Sequence, residues 1–192
     1  MVIDVVNYHE QPMVALVGKM GYGHAQPNVA SCGKQADMEY GSIEREVHIE
    51  APPEVVFEVI TSPEHIKDWW EPGEVTLDPS PGGAGELVWG DRSSADGHVA
   101  TLTVVDAVPP RLFSFRWVYP EGAVAGPGNS LLVTFEVTPS GDGSVLHLTE
   151  SGFREKGWEI AAMEREYQDH VQGWDRFVPR IADCASKLVS SS

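Results

Sequence analysis

Positive charge is what this chain has least of. Thirteen Lys and Arg stand against 29 Asp and Glu in 192 residues, a formal net charge of −16 at pH 7. Such a surface repels phosphate backbones and anionic lipid, so nucleic acid and membrane surfaces are not expected partners. Cysteine is nearly missing. Cys32 and Cys184 lie too far apart in sequence for a metal or redox spacing, and a reducing cytoplasm is the expected compartment. No apolar run approaches the roughly 20 residues that span a bilayer. The opening MVIDVVNYHEQ lacks the basic start and long apolar core of a signal peptide. Catalytic signatures are missing as well: there is no G-x-S-x-G, no H-E-x-x-H and no Cys/His cluster. The turn Gly82-Gly83-Ala84-Gly85 is not followed by the lysine and helix that a phosphate loop needs. Neither a metal nor a cofactor is expected from these patterns.

What remains is a globular composition, 42% hydrophobic and 22% charged, in a length that suits one domain with a sizeable core. Residues 1–37 read differently. GKMGYGHAQPNVASCGKQAD has neither helical nor strand periodicity and too little apolar surface to offset its ordering entropy. This segment is expected to be a disordered extension, and Met38 is an alternative start. Asp4, Glu10 and Asp37 against Lys19 and Lys34 leave one net negative charge there, so the acidity belongs to residues 38–192.

From Ile43 the pattern sharpens. Ile43, Val47 and Ile49 alternate with Glu44, Glu46, His48 and Glu50, the period of a strand with one buried face, and Arg45 falls on the apolar side. Pro52-Pro53 ends the strand and can open a helix with the stripe Val55, Val56, Val59, Ile60. Ser62-Pro63-Glu64 reads as N-cap, first turn and a favourable acid, and the second helix ends at Trp69-Trp70 before Pro72-Gly73. Six strands follow, 74–78, 86–91, 98–107, 112–119, 131–138 and 145–150, with turns short enough for an antiparallel meander. Only the Gly-rich connection 120–129 is long, a mobile gate or an ordinary hairpin loop. Val171, Trp174, Val178, Ile181, Ala185 and Leu188 then recur at three and four residues, an amphipathic helix that Pro179 is expected to kink near 175–178.

Six short motifs fall in a telling order: Ala51-Pro52; Thr61-Ser62-Pro63-Glu64-His65 with Trp69-Trp70; Pro81-Gly82-Gly83; Pro109-Pro110-Arg111-Leu112; Glu150-Ser151-Gly152-Phe153; and Gly173-Trp174. Over residues 43–188 the chain resembles the START-like (SRPBCC, helix-grip) superfamily, and within it the homologues of the activator of the heat-shock-protein-90 ATPase. The segment 154–165 and the N-terminal extension depart from that pattern. The resemblance implies an α+β fold: a curved antiparallel sheet wrapped around a long C-terminal helix, with two short helices after the first strand and a cavity between sheet and helix. It also implies a small hydrophobic or amphipathic ligand, often without catalysis.

The candidate lining follows from the faces. Trp89, Phe115, Trp117, Tyr119 and Phe135 on the sheet oppose Trp174 on the helix, either filling the core or walling a pocket. Trp70, at a helix end beside a loop, is the candidate mouth residue, whereas Trp69 is assigned to the core. Leu146, Leu148 and Glu150 share one strand face, so Glu150 should point inward, to pair with a cation such as Arg45 or to orient a ligand; His147 should face solvent. The favoured function is non-enzymatic binding, transport or sensing of such a ligand by a monomer or weak homodimer. The alternatives are a cyclase- or hydrolase-like enzyme relying on Glu150 and Arg45, and a chaperone co-regulator.

Overall fold

In a computed structural model, residues 40–94, 97–119 and 122–190 are described. The expected N-terminal extension and the first two residues of the long connection, 120 and 121, lie outside them. The first strand, β1 (Ser42–Ile49), is followed by α1 (Pro53–Thr61) and α2 (Pro63–Trp70). The meander runs β2 (Glu74–Leu77), β3 (Ala84–Trp89), β4 (His98–Val108), β5 (Leu112–Trp117), β6 (Leu131–Ser140) and β7 (Gly143–Ser151), and α3 (Ile160–Ser190) closes the chain. All neighbours pair antiparallel in one seven-stranded sheet of order β1-β7-β6-β5-β4-β3-β2. Consecutive strands pair throughout β2–β7, and β1 joins the far edge beside β7. This is the helix-grip architecture that the sequence implies.

Local chemistry explains the boundaries. Pro53 and Pro63 open their helices, where a missing backbone N–H costs nothing. Ser62 closes α1 and starts α2 through its extended backbone, its N–H donating to Glu58 O and its carbonyl accepting from Ile66 N; its hydroxyl makes no capping bond. Glu71 ends α2 in the left-handed region, at φ 61°. That strained conformation is held by ion pairs from Glu71 to Arg176 and Arg180, both on α3 and both 2.5 Å long. The core lies between the concave face of the sheet and the three helices, with α3 packed on β1, α1 and α2.

The long helix begins at Ile160, eleven residues before the stripe that announces it. IAAMEREYQDH is rich in good helix formers, but its fully buried positions are Glu166 and His170, with Met163 and Tyr167 only partly buried against the core. Pro179 lies within the continuous helix. Between β5 and β6, the described residues of the connection are tied down by Asn129, which accepts from Gly126 N at 2.8 Å and donates to Val124 O at 2.9 Å.

Candidate functional site

One carboxylate stands out in the core. Glu150, on β7 opposite Ile43 and Val133, is completely buried. As the alternation with Leu146 and Leu148 requires, it points inward. Trp117 Nε1 donates to its Oε1 at 2.7 Å, Trp174 Nε1 donates to Oε2 at 2.7 Å, and His170 Nδ1 lies 2.9 Å from Oε2. An indole N–H can only donate, so both oxygens are acceptors whichever partner holds the proton between Glu150 and His170. His170 is itself 1% exposed and lies between Trp117 and Phe153, ring centroids 5.2 and 5.5 Å away. Among the described residues every buried side-chain nitrogen and oxygen has a partner.

Arg45 is not one of those partners. It reaches along β1 to the surface, where its Nε donates to Asp175 Oδ1 on α3 at 2.8 Å. The Glu150–Arg45 set that an enzyme was expected to use is therefore not assembled. His170 takes the place that sequence reasoning left to a cation. The signal for it was a spacing: 166, 170 and 174 extend the stripe of α3 backwards by two turns, hidden because two of its members are polar.

Around the carboxylate, the structure gathers most of the expected aromatic residues. Trp70 is the hub. Its ring centroid lies 5.0 Å from that of Trp69, 5.3 Å from Trp117, 5.7 Å from Trp174 and 6.1 Å from both Trp89 and Phe115. Phe135 closes the other side, 6.1 Å from Trp174 and 6.4 Å from Phe115. Trp70 is 2% exposed, so it is a central core residue and not the rim of an opening. Neighbouring helical residues point only about 100° apart, so a stripe of that width holds both tryptophans, and they stack at an interplanar angle of 11°. Tyr119 is the other correction. Val118 takes φ 55°, which breaks the alternation of β5 and ends it at Trp117. The Tyr119 hydroxyl then bonds Thr103 Oγ1 at 3.0 Å, between the buried Leu102 and Val104, and leaves the cluster.

These rings fill the interior. The apolar cavity beside Ile60, Trp69, Trp70, Leu87, Leu102 and Phe113 measures about 10 Å³, room for about one water. The edge of the cluster is polar and half-buried: Trp89 donates to Trp70 O at 3.3 Å, and His98 stacks on Trp89 at 5.6 Å. On the outer face, His147 points away from the core and approaches Glu136 at 3.6 Å. Near the dyad, burial pushes the Asp169 carboxyl up, opposed by His170 and Arg165.

Burial holds the His98 imidazole below its ordinary pKa of 6.5. Below that pH the unfolded chain binds the proton more tightly than the folded one. The contribution of His98 is thus complete above about pH 6.5 and is lost as pH falls through the lower folded value. His98→Phe, which keeps a ring on Trp89, should flatten the fall of the urea midpoint between pH 7.5 and 5.5. Equal falls in both proteins would count against this assignment.

A buried carboxylate on the grip side of a curved antiparallel sheet, ringed by tryptophans and faced by a long helix, defines a helix-grip domain of the START-like class. The family model described as "Activator of Hsp90 ATPase homolog 1-like protein" matches residues 50–186, and the chain belongs to that family. A search of curated proteins returned no match. Among solved structures, the chain is similar to protein MLL2253 from Mesorhizobium loti, at 24% identity over 76% of this chain and 97% of that one, with a TM-score of 0.60. It is also similar to the Aha1 dimer from Colwellia psychrerythraea, at 14% identity over 76% and 96% of the two chains, with a TM-score of 0.56. DynU16, a protein in the dynemicin biosynthetic locus, shares 22% identity over 74% of this chain and 46% of its own, with a TM-score of 0.56. No helix among the described residues is long and apolar enough to cross a membrane.

Proposed function

We propose that the protein binds a small amphipathic molecule, an aromatic skeleton bearing a hydroxyl or amine, between the sheet and α3. The observation that carries this is Glu150. A buried charged group is weak evidence for stability, since well-packed apolar residues commonly serve a core as well or better. A carboxylate offers up to about four acceptor sites, and two indole N–H groups and one ring nitrogen of His170 reach this one. The remaining site suits a ligand donor, and the surrounding indoles suit an aromatic body. A cavity of about 10 Å³ means that binding follows opening. Trp70 is then the plug. Its helix is retained by the partly exposed Glu71–Arg176 and Glu71–Arg180 pairs, and pairs of that kind are individually worth only about 0–1 kcal/mol. The likeness to DynU16, from a biosynthetic locus, fits a small-molecule ligand.

Thermal-shift screening against lipids, flavonoids and polyketides tests the reading. A ligand at 100 times its Kd adds about 2.7 kcal/mol, which raises Tm by roughly 5–11 °C for a domain of this size. Trp117→Ala, which removes a ring and a donor of the site, should abolish that shift, and Ser190→Ala at the end of α3 should keep it. If no compound moves the wild-type Tm, or if both variants respond alike, the site is misplaced. The 2.9 Å contact of His170 with Glu150 also favours a second reading, an acid–base pair acting on the bound molecule. Mass spectrometry of the recovered ligand separates turnover from binding.

A further inference from the structure

Away from the carboxylate, α2 and α3 bring together three side chains that the sequence keeps far apart. His65 and Asp68 lie three residues apart on α2, hence on one face, and Cys184 faces them from α3. One ring nitrogen of His65, a carboxylate oxygen of Asp68 and the Cys184 sulfur all lie within 4.8 Å of one another. We propose that His65, Asp68 and Cys184 form a divalent-metal site, of zinc type, that bridges α2 to α3.

The donor set fits that ion. Zinc takes sulfur, imidazole nitrogen and carboxylate oxygen at 2.0–2.3 Å in a tetrahedron, so its ligands stand roughly 3.5 Å apart. Closing from 4.8 Å to that spacing takes side-chain rotations on an outer seam, where Asp68 is exposed and His65 and Cys184 are half-buried. A thiolate and a carboxylate supply two negative charges against the two positive charges of the ion. Glu58 Oε1 stands 3.7 Å from His65 Nε2; with the ion on Nδ1, it holds the place of the carboxylate that commonly orients a metal-bound histidine through its other nitrogen. Three protein ligands leave a fourth position for water or an incoming group.

A reactive-thiol reading fits less well. Burial raises the pKa of Cys184 and the Asp68 carboxylate raises it further, with Lys187 opposing, so the bare side chain is a thiol rather than a nucleophilic thiolate. Metal binding releases that proton and leaves the sulfur as a ligand.

Cobalt(II) titration of the tag-free full chain, stripped with chelator, tests the site. One equivalent should bring up a thiolate-to-cobalt charge-transfer band. Cys184→Ser should remove the band, whereas Cys32→Ser should keep it. Asp68→Asn and His65→Asn should each weaken cobalt binding at least tenfold, and Glu58→Gln about tenfold, as supporting carboxylates typically do. Zinc should raise the Tm of the wild type and not that of Cys184→Ser. Absence of the band in the wild type, its persistence in Cys184→Ser or its loss in Cys32→Ser would overturn the proposal.

Discussion

Glu150→Ala is expected to destabilise the fold by about 3–5 kcal/mol, the usual cost of removing one member of a buried charged set. For a domain of this length that is roughly 6–20 °C in Tm. The loss comes from what stays behind. Two indole N–H groups, Trp117 Nε1 and Trp174 Nε1, would point at the void with no acceptor, and His170 Nδ1 would lose its partner. Each orphaned buried group costs about 1–3 kcal/mol. Glu150→Gln should be milder, because one acceptor oxygen survives while the amide nitrogen meets a donor. The combination Glu150→Leu, His170→Leu, Trp117→Phe, Trp174→Phe removes donors and acceptor together and should recover most of the loss. Urea melts of the three proteins decide the matter: a quadruple variant as weak as Glu150→Ala would mean that the cost lies in packing and not in unmet hydrogen bonds.

Trp70→Ala should cost a comparable 3–5 kcal/mol, the range for deleting a large buried ring, and should leave an aromatic-walled hole that can be refilled. The ring touches four other tryptophans and two phenylalanines. The hole left behind has the shape of an indole and is walled by those rings. Added indole should therefore restore stability to the variant by mass action, about 2.7 kcal/mol at 100 times its Kd, while leaving the wild type unmoved at the same concentration. Calorimetric titration that detects no indole binding to Trp70→Ala would show that the helix collapses into the gap, and a collapsed gap leaves no room for a displaceable plug.

How much of this was legible depended on periodicity. The sheet was, because each strand alternates and each turn carries Gly, Pro, Asp or Asn. The inward aim of Glu150 was too, since two leucines on the same face of β7 fixed its side. His170 was not, because the stripe of α3 begins with Glu166 and His170, and a pattern search weighted towards apolar residues starts at Val171. Tyr119 was misplaced for a reason no alternation can reveal, a positive φ at Val118. Trp70 was assigned to a rim because it ends a helix, yet the left-handed turn at Glu71 leaves its ring inside. The meeting of Cys184 with His65 and Asp68 is purely tertiary: 116 or more residues separate the thiol from its neighbours along the chain, and only the packing of α2 on α3 removes that distance.

The buried carboxylate also has a part to play before the native state is reached. On β7 the side-chain period is two, so a pairing error of one residue against β1 or β6 would turn Glu150 to solvent and bring Thr149 or Ser151 inward. An error of two residues would set Leu148 or Gly152 against the indoles, leaving both N–H groups of Trp117 and Trp174 without an acceptor. Apolar residues at that position would forgive such shifts, because one leucine fills a core much as another does. Glu150 does not forgive them, and the alignment opposite Ile43 and Val133 is the one that satisfies both indole donors and meets His170 at once. The acid at the centre of the core is thus also a proofreader of the sheet that holds it.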